Sequence, residues 1–223
     1  MRLRSPHFFN FNPDQYDVWP IYEAIQSYYP IGIDPEQPGA YHGYAGQEKL
    51  HKLMREASQA DSVYVEKWYP AAEAWGRQQG VSHRANYDFY TSFPCCSSSY
   101  CLETIEVDRW TLSRELHVAI SLLGPFYTVY GTENSMLTVP SPKPRYYTRT
   151  NRVVIAPTEG YSELFHPLCE WVETHFKGYR FVPYRIHAAQ IDGLSVLNGD
   201  GAETRVYHAL FNTRFPFDAH TSL

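Results

Sequence analysis

The chain lacks a positive balance: 19 Lys and Arg stand against 24 Asp and Glu, for a formal net charge of −5. A duplex-binding domain needs cations to replace the counterions that its phosphate contacts release, so the acidic balance argues against a nucleic-acid partner. It favours basic partners instead. Long apolar runs are also missing. The most apolar stretch, Val118 to Tyr130, is too short to span a bilayer and is broken by Gly124-Pro125. No apolar segment follows the charged Met1–His7 stretch, so neither a membrane partner nor a secretory signal is read, and the expected location is the cytoplasm.

Cysteine is sparse. The four residues Cys95, Cys96, Cys101 and Cys169 have no regular disulfide spacing, and adjacent Cys95 and Cys96 cannot easily bridge each other. Nor do they form the two pairs that a structural zinc site uses, and no histidine signature of a thiol enzyme surrounds them. The phosphate loop, the dinucleotide fingerprint and the serine nucleophile elbow are all absent. Glu48 and His51 stand three apart on an expected helix, with His42 nearby, but a carboxylate-bridged di-metal centre needs that motif twice. They read as a surface pair, and no cofactor or metal is expected.

Aromatic residues are abundant: 19 Tyr, 12 Phe and 5 Trp. Tyr buries a large ring while keeping a hydroxyl for hydrogen bonding, so the count suits both a β-rich core and a recognition face.

Periodicity predicts helices over Ile21–Tyr29 and Gly46–Ala60. A third carries a stripe of Val65, Trp68, Tyr69, Ala72 and Trp75, starts at Asp61 or Ser62, is interrupted by Pro70 and closes at Gly80. From Ala85 the period becomes two, through Tyr87, Phe89 and Thr91 and again over Glu103–Arg109. A hairpin is predicted from Glu115–Leu123, the turn Gly124-Pro125 and Phe126–Tyr130. Leu116, Val118, Ile120 and Leu122 share one face, with His117, Ala119 and Ser121 on the other. Val153–Ile155 reads as a short strand. A helical stripe from Leu164 to Phe176 ends at Gly178, with Pro167 delaying its start, and Tyr179–Ile186 reads as a strand. Asn198–Gly201 is a turn, and Glu203–Phe211 fits a helix or a strand equally. The sum is a single α+β domain over 1–223, helical over about 1–80 and sheet-rich over about 85–223. Its largely antiparallel sheet is expected to carry helices on one side.

Three groups of residues could carry function. Arg145, Tyr147, Arg149 and Arg152 lie in a stretch, Asn134 to Thr158, with four cations and no acid. Arginine interleaved with tyrosine suits an anion-binding patch, and it equally suits an edge strand guarded by charge. His117 and His187 are the pair that a hydrolase using histidine and carboxylates in a cleft would employ. Asp14, Tyr16, Asp17 and Glu23 offer aromatic and acidic anchors for a protein partner.

Three segments, Ile120–Gly131, Gly178–Tyr184 and Thr204–Phe211, resemble small bacterial cytosolic proteins of the polymorphic-toxin immunity type, including those that answer contact-delivered and type VI-secreted toxins. The resemblance implies an antitoxin that binds a cognate protein toxin and occludes its active site, with no chemistry of its own. An acidic exterior would be steered toward the basic cleft of a nucleic-acid-cutting toxin.

Overall fold

Four long antiparallel strands frame the fold, each buried on both faces at one end and half-buried or exposed at the other. They are β2 (Cys95–Val107), β3 (Trp110–Ser121), β4 (Phe126–Val139) and β5 (Arg145–Val154). The computed structural model describes residues 16–33, 39, 43–59, 63–85, 93–158, 160–196, 204–213 and 215–222. The predicted alternation at 87–91, the start at 61–62 and the turn at 198–201 lie outside them.

Helices α1 (Trp19–Tyr28) and α2 (Ala45–Ala57) come first, followed by a π-helical segment (Val63–Trp68), α3 (Tyr69–Gln79) and β1 (Ser82–Ala85). Pro20 and Pro70 sit in the first turns of α1 and α3, where a missing N–H costs nothing. Gly80 closes α3 in the left-handed conformation, at φ +70°. After β5 come α4 (Ser162–His175), β6 (Arg180–Phe181), α5 (Tyr184–His187), α6 (Val206–Leu210) and β7 (His220–Ser222).

The sheet runs β1-β2-β3-β4-β5-β7. β6 lies parallel to β4 at Phe126–Tyr127, and β7 lies parallel to β5 at Arg152–Val154. The expected hairpin is present and longer than its apolar signal: β3 and β4 pair from Trp110↔Leu137 to Ile120↔Tyr127. At the opposite end Asp108 takes a left-handed φ of +53°, which a short polar side chain tolerates. This α+β architecture with a largely antiparallel sheet is the one that the sequence predicts.

The helices, however, cover both faces of the sheet rather than one. Cys96, Tyr100, Leu116, Val118, Ile120, Tyr127, Val129 and Val154 pack with Trp68, Trp75, Phe165 and Trp171, on what we term the α4 face. On the other side, the α1 face, Cys95, Ala119, Tyr130 and Val153 meet Ile21, Ile25, Leu50, Tyr207, Phe211 and Phe215. The physical reason is the two-residue period of a strand: neighbours such as Cys95 and Cys96, or Ala119 and Ile120, point to opposite faces and both are buried, so each face needs its own cover.

Two further expectations are corrected. Pro167 lies inside α4 rather than at its start. The helix forgoes one backbone hydrogen bond there, offset by burial of Phe165, Leu168, Cys169, Trp171 and Val172. The strand expected over Tyr179–Ile186 shrinks to β6, because Pro183 opens the short helix α5. His187 therefore sits on a helix. The undecided segment near the C-terminus is helical at Val206–Leu210. Among the described residues, no helix is long and apolar enough to cross a membrane.

Candidate functional site

Beyond the helices the sheet continues with no described element over it. This distal half comprises Glu103–Val107, Trp110–Arg114, Glu133–Val139 and Arg145–Arg152, joined by regular cross-strand pairs. Because alternate residues share a face, register decides what this end presents. On the α4 face one row reads Val107, Trp110, Leu137, Tyr147, and the next reads Ile105, Leu112, Ser135, Arg149.

Eight large hydrophobic residues are exposed in the described structure, and six lie in this distal half: Ile105, Val107, Trp110, Leu112, Tyr146 and Tyr147. All but Tyr146 stand on the α4 face. A clustered apolar face of this kind, rimmed by charge, marks an interaction site where scattered single residues would not.

Two irregularities bring charge to the same face. A register shift between Cys101 and Glu103 moves Glu103 onto it, and one between Glu133 and Asn134 moves Arg145, Tyr147 and Arg149 onto the face that Arg152 already shares with Val154. Arg114 Nε donates to Glu103 Oε2 at 2.8 Å, and Arg152 Nη1 donates to Glu133 Oε1 at 3.1 Å. These pairs border the apolar rows on the side nearest the core. Arg145 and Arg149 lie on the same face, are exposed, and meet no acidic side chain among the described residues. The register thus gathers Arg145, Tyr147, Arg149 and Arg152 on one face of β5, two of the three cations having no acidic partner among the described residues.

The α1 face of the distal half is chemically different. Thr104, Thr111, Ser113, Asn134, Met136, Thr148 and Thr150 line a groove of about 360 Å³ that ends at Arg84 and Glu115. Thr150 Oγ1 donates to Asn134 Oδ1 at 2.9 Å, and Asn134 Nδ2 donates to Thr132 Oγ1 at 2.9 Å. Thr132 Oγ1 also meets His117 Nε2 at 2.8 Å. Arg84 Nη1 donates to Glu115 Oε1 at 3.2 Å, and Glu115 Oε2 lies 3.7 Å from His117 Nε2. Burial pushes His117 down to about 4, so at neutral pH it is uncharged and the contact with Glu115 is no ion pair.

His187 does not join His117. It is fully buried under the α1 face, with Nδ1 3.4 Å from Thr128 Oγ1 and Nε2 unpartnered. Burial pushes it down to about 3. Tyr130 stacks on His117 at 4.9 Å, while Tyr207 and Phe215 flank His187 at 5.2 and 5.1 Å. The two histidines are thus separated along the same polar and aromatic row. Adjacent Cys95 and Cys96 point to opposite faces, and burial pushes the Cys95 thiol up to about 12, so it stays protonated and poorly nucleophilic. Among the described residues, no three His, Cys, Asp or Glu side chains converge in a metal-binding group.

Of the expected partner anchors, Asp14 lies outside the described residues. Tyr16 is half-buried, with Arg180 4.9 Å above its ring, whereas Asp17 and Glu23 are exposed around Trp19. Asp17 Oδ1 accepts the Trp19 backbone N–H at 3.2 Å. The apolar rows at Ile105, Val107, Trp110 and Leu112 were missed from sequence. The alternation over Glu103–Arg109 was visible, but only the pairing of three strands shows that those residues share a face with Tyr147.

Protein-family models, curated proteins and solved structures were compared with the chain, and none matches.

Proposed function

We propose that this is a protein-binding protein whose recognition surface is the distal α4 face, and that its partner is the cognate toxin implied by the resemblance to immunity proteins. The observation that carries this reading is the concentration of exposed Ile105, Val107, Trp110, Leu112 and Tyr147 on one face of the sheet, beside exposed Arg145 and Arg149. Trp, Tyr and Arg are the residues that dominate binding energy at protein interfaces. The overall charge of −5 acts at long range, while contact is made by a locally aromatic and basic patch.

The test is co-expression with the protein encoded by the neighbouring gene, followed by co-purification and calorimetry. A stable complex is expected. Trp110→Ala should weaken it by roughly 2 kcal/mol, or about thirtyfold, while leaving the fold intact. No complex, or a complex indifferent to Trp110→Ala and Leu112→Glu, overturns the reading.

One observation favours a second reading, a hydrolase: Glu115, which lines the inner end of the α1-face groove, has its Oε2 3.7 Å from His117 Nε2. Turnover of p-nitrophenyl esters or phosphates that disappears in His117→Gln would support it.

A further inference from the structure

Among the described residues, the outer edge of β5 is unpaired where its exposed arginines stand. β7 pairs only with Arg152–Val154, and no described strand lies beside Arg145–Asn151. Each residue from Arg145 to Arg149 is exposed, as is Asn151, so neither face of this edge is covered. Such an edge presents a row of unpaired backbone N–H and C=O groups, a template for another strand. We propose that it receives an extended acidic segment of the partner protein by strand addition. This deepens the docking reading above and rests on it.

The spacing defines the segment. Arg145 and Arg149 stand four residues apart on one face, about 13 Å along the strand. A strand added beside β5 places every second residue on that face. Carboxylates at positions i and i+4 would then meet the two guanidinium groups, as charge-assisted hydrogen bonds favour. Position i+2 would fall beside Tyr147 and extend the row Val107, Trp110, Leu137, Tyr147 by one side chain, which favours an apolar residue there. The preferred pattern is acidic-x-apolar-x-acidic.

Charge also excludes competitors. Two copies of β5 edge to edge would set Arg145 and Arg149 against another pair of arginines, so a second copy is disfavoured. The opposite open edge, on β2, offers that face Glu103, Ile105 and Val107. Its one acid is already held by Arg114, so it does not supply the pattern. Conversely, Glu106 and Asp108 at the β2 edge repel an acidic strand that β5 attracts.

The experiment uses the full chain, isotope-labelled, titrated with the peptide acetyl-Thr-Glu-Thr-Leu-Thr-Glu-Thr-amide and followed by NMR. Saturable shifts are expected at the amides of residues 145–151. Binding should weaken at least tenfold when both Glu of the peptide are replaced by Lys, when alternate peptide nitrogens are methylated, or in the Arg145→Glu/Arg149→Glu variant. It should also weaken as salt rises. The proposal is overturned by the absence of saturable shifts, by equal binding of the Lys or N-methylated peptide, or by sedimentation showing that the edge is filled by a second copy. With the partner in hand, a complex lost in Trp110→Ala but unaffected by Arg145→Glu/Arg149→Glu would reject strand addition and leave the docking face standing. Loss in both variants supports both.

Discussion

Two leucines on strand β3, four residues apart and facing the same way, have opposite surroundings. Leu116 is fully buried beneath α4, and Leu112 is 41% exposed. The same contrast divides β2 and β3: a proximal half clamped between two helical layers, and a distal half that keeps apolar residues on the α4 face with no described element over them. In the proximal half alternation builds stability. In the distal half the same pattern serves no core, which is why we read it as a surface made for contact.

The sharpest way to break this comparison is to truncate both leucines. Leu116→Ala should cost about 2–5 kcal/mol in chemical denaturation, because it leaves a cavity in the buried cluster that holds Trp68, Val118 and Phe165. Leu112→Ala should stay within about 0.5 kcal/mol, as surface changes do. Equal costs would mean that the distal face is covered.

The pH response should separate the halves next. His117 and His187 fold into the α1 side of the proximal half with their pKa values pushed down to about 4 and about 3. The unfolded chain takes up these protons near pH 6.5, while the folded protein resists until far lower. Stability from this source is complete above about pH 6.5 and declines as pH falls toward 4, by up to about 1.4 kcal/mol per pH unit for each histidine. His187→Gln should flatten the profile measured by urea unfolding between pH 7 and 4.5. An unchanged slope would show that His187 is accessible to protons in the folded state.

A third probe lies at Gly131, where the proximal half passes into the distal. A Cβ there would sit 2.6 Å from Cδ1 of the Tyr161 ring, whose hydroxyl donates to the Thr132 carbonyl at 2.8 Å. Gly131→Ala should cost about 1–3 kcal/mol, read as a lowered midpoint of thermal unfolding. The smallest effect is expected from Arg145→Glu/Arg149→Glu, within about 0.5 kcal/mol in stability, since neither guanidinium meets a carboxylate among the described residues. A large loss would identify these arginines as structural.

Much of this was legible in the chain. Leu116, Val118 and Ile120 alternate strictly with His117 and Ala119, and that alone fixes the hairpin and its two faces. Gly80 marked its helix end in the same direct way. The Pro167 signal misled, because burial of Phe165 and Trp171 outweighs one missing backbone bond. The strand read through Tyr179–Ile186 failed for a related reason: Pro183 stops a short strand and starts a helix, and local periodicity cannot choose between them. At the candidate site, the Arg145–Arg152 cluster was visible as composition, but its relation to Trp110 was not.

By itself the sequence determined the α+β class, the antiparallel hairpin and the grouping of cations near residue 150, because these depend on spacing along the chain. Only the tertiary structure decided that helices cover both faces of one end of the sheet while Ile105, Val107, Trp110 and Leu112 at the other are exposed. It also decided that Trp110, Leu112 and Tyr147 share a surface, because cross-strand register joins residues that are distant in sequence and two one-residue shifts determine which side each charge occupies.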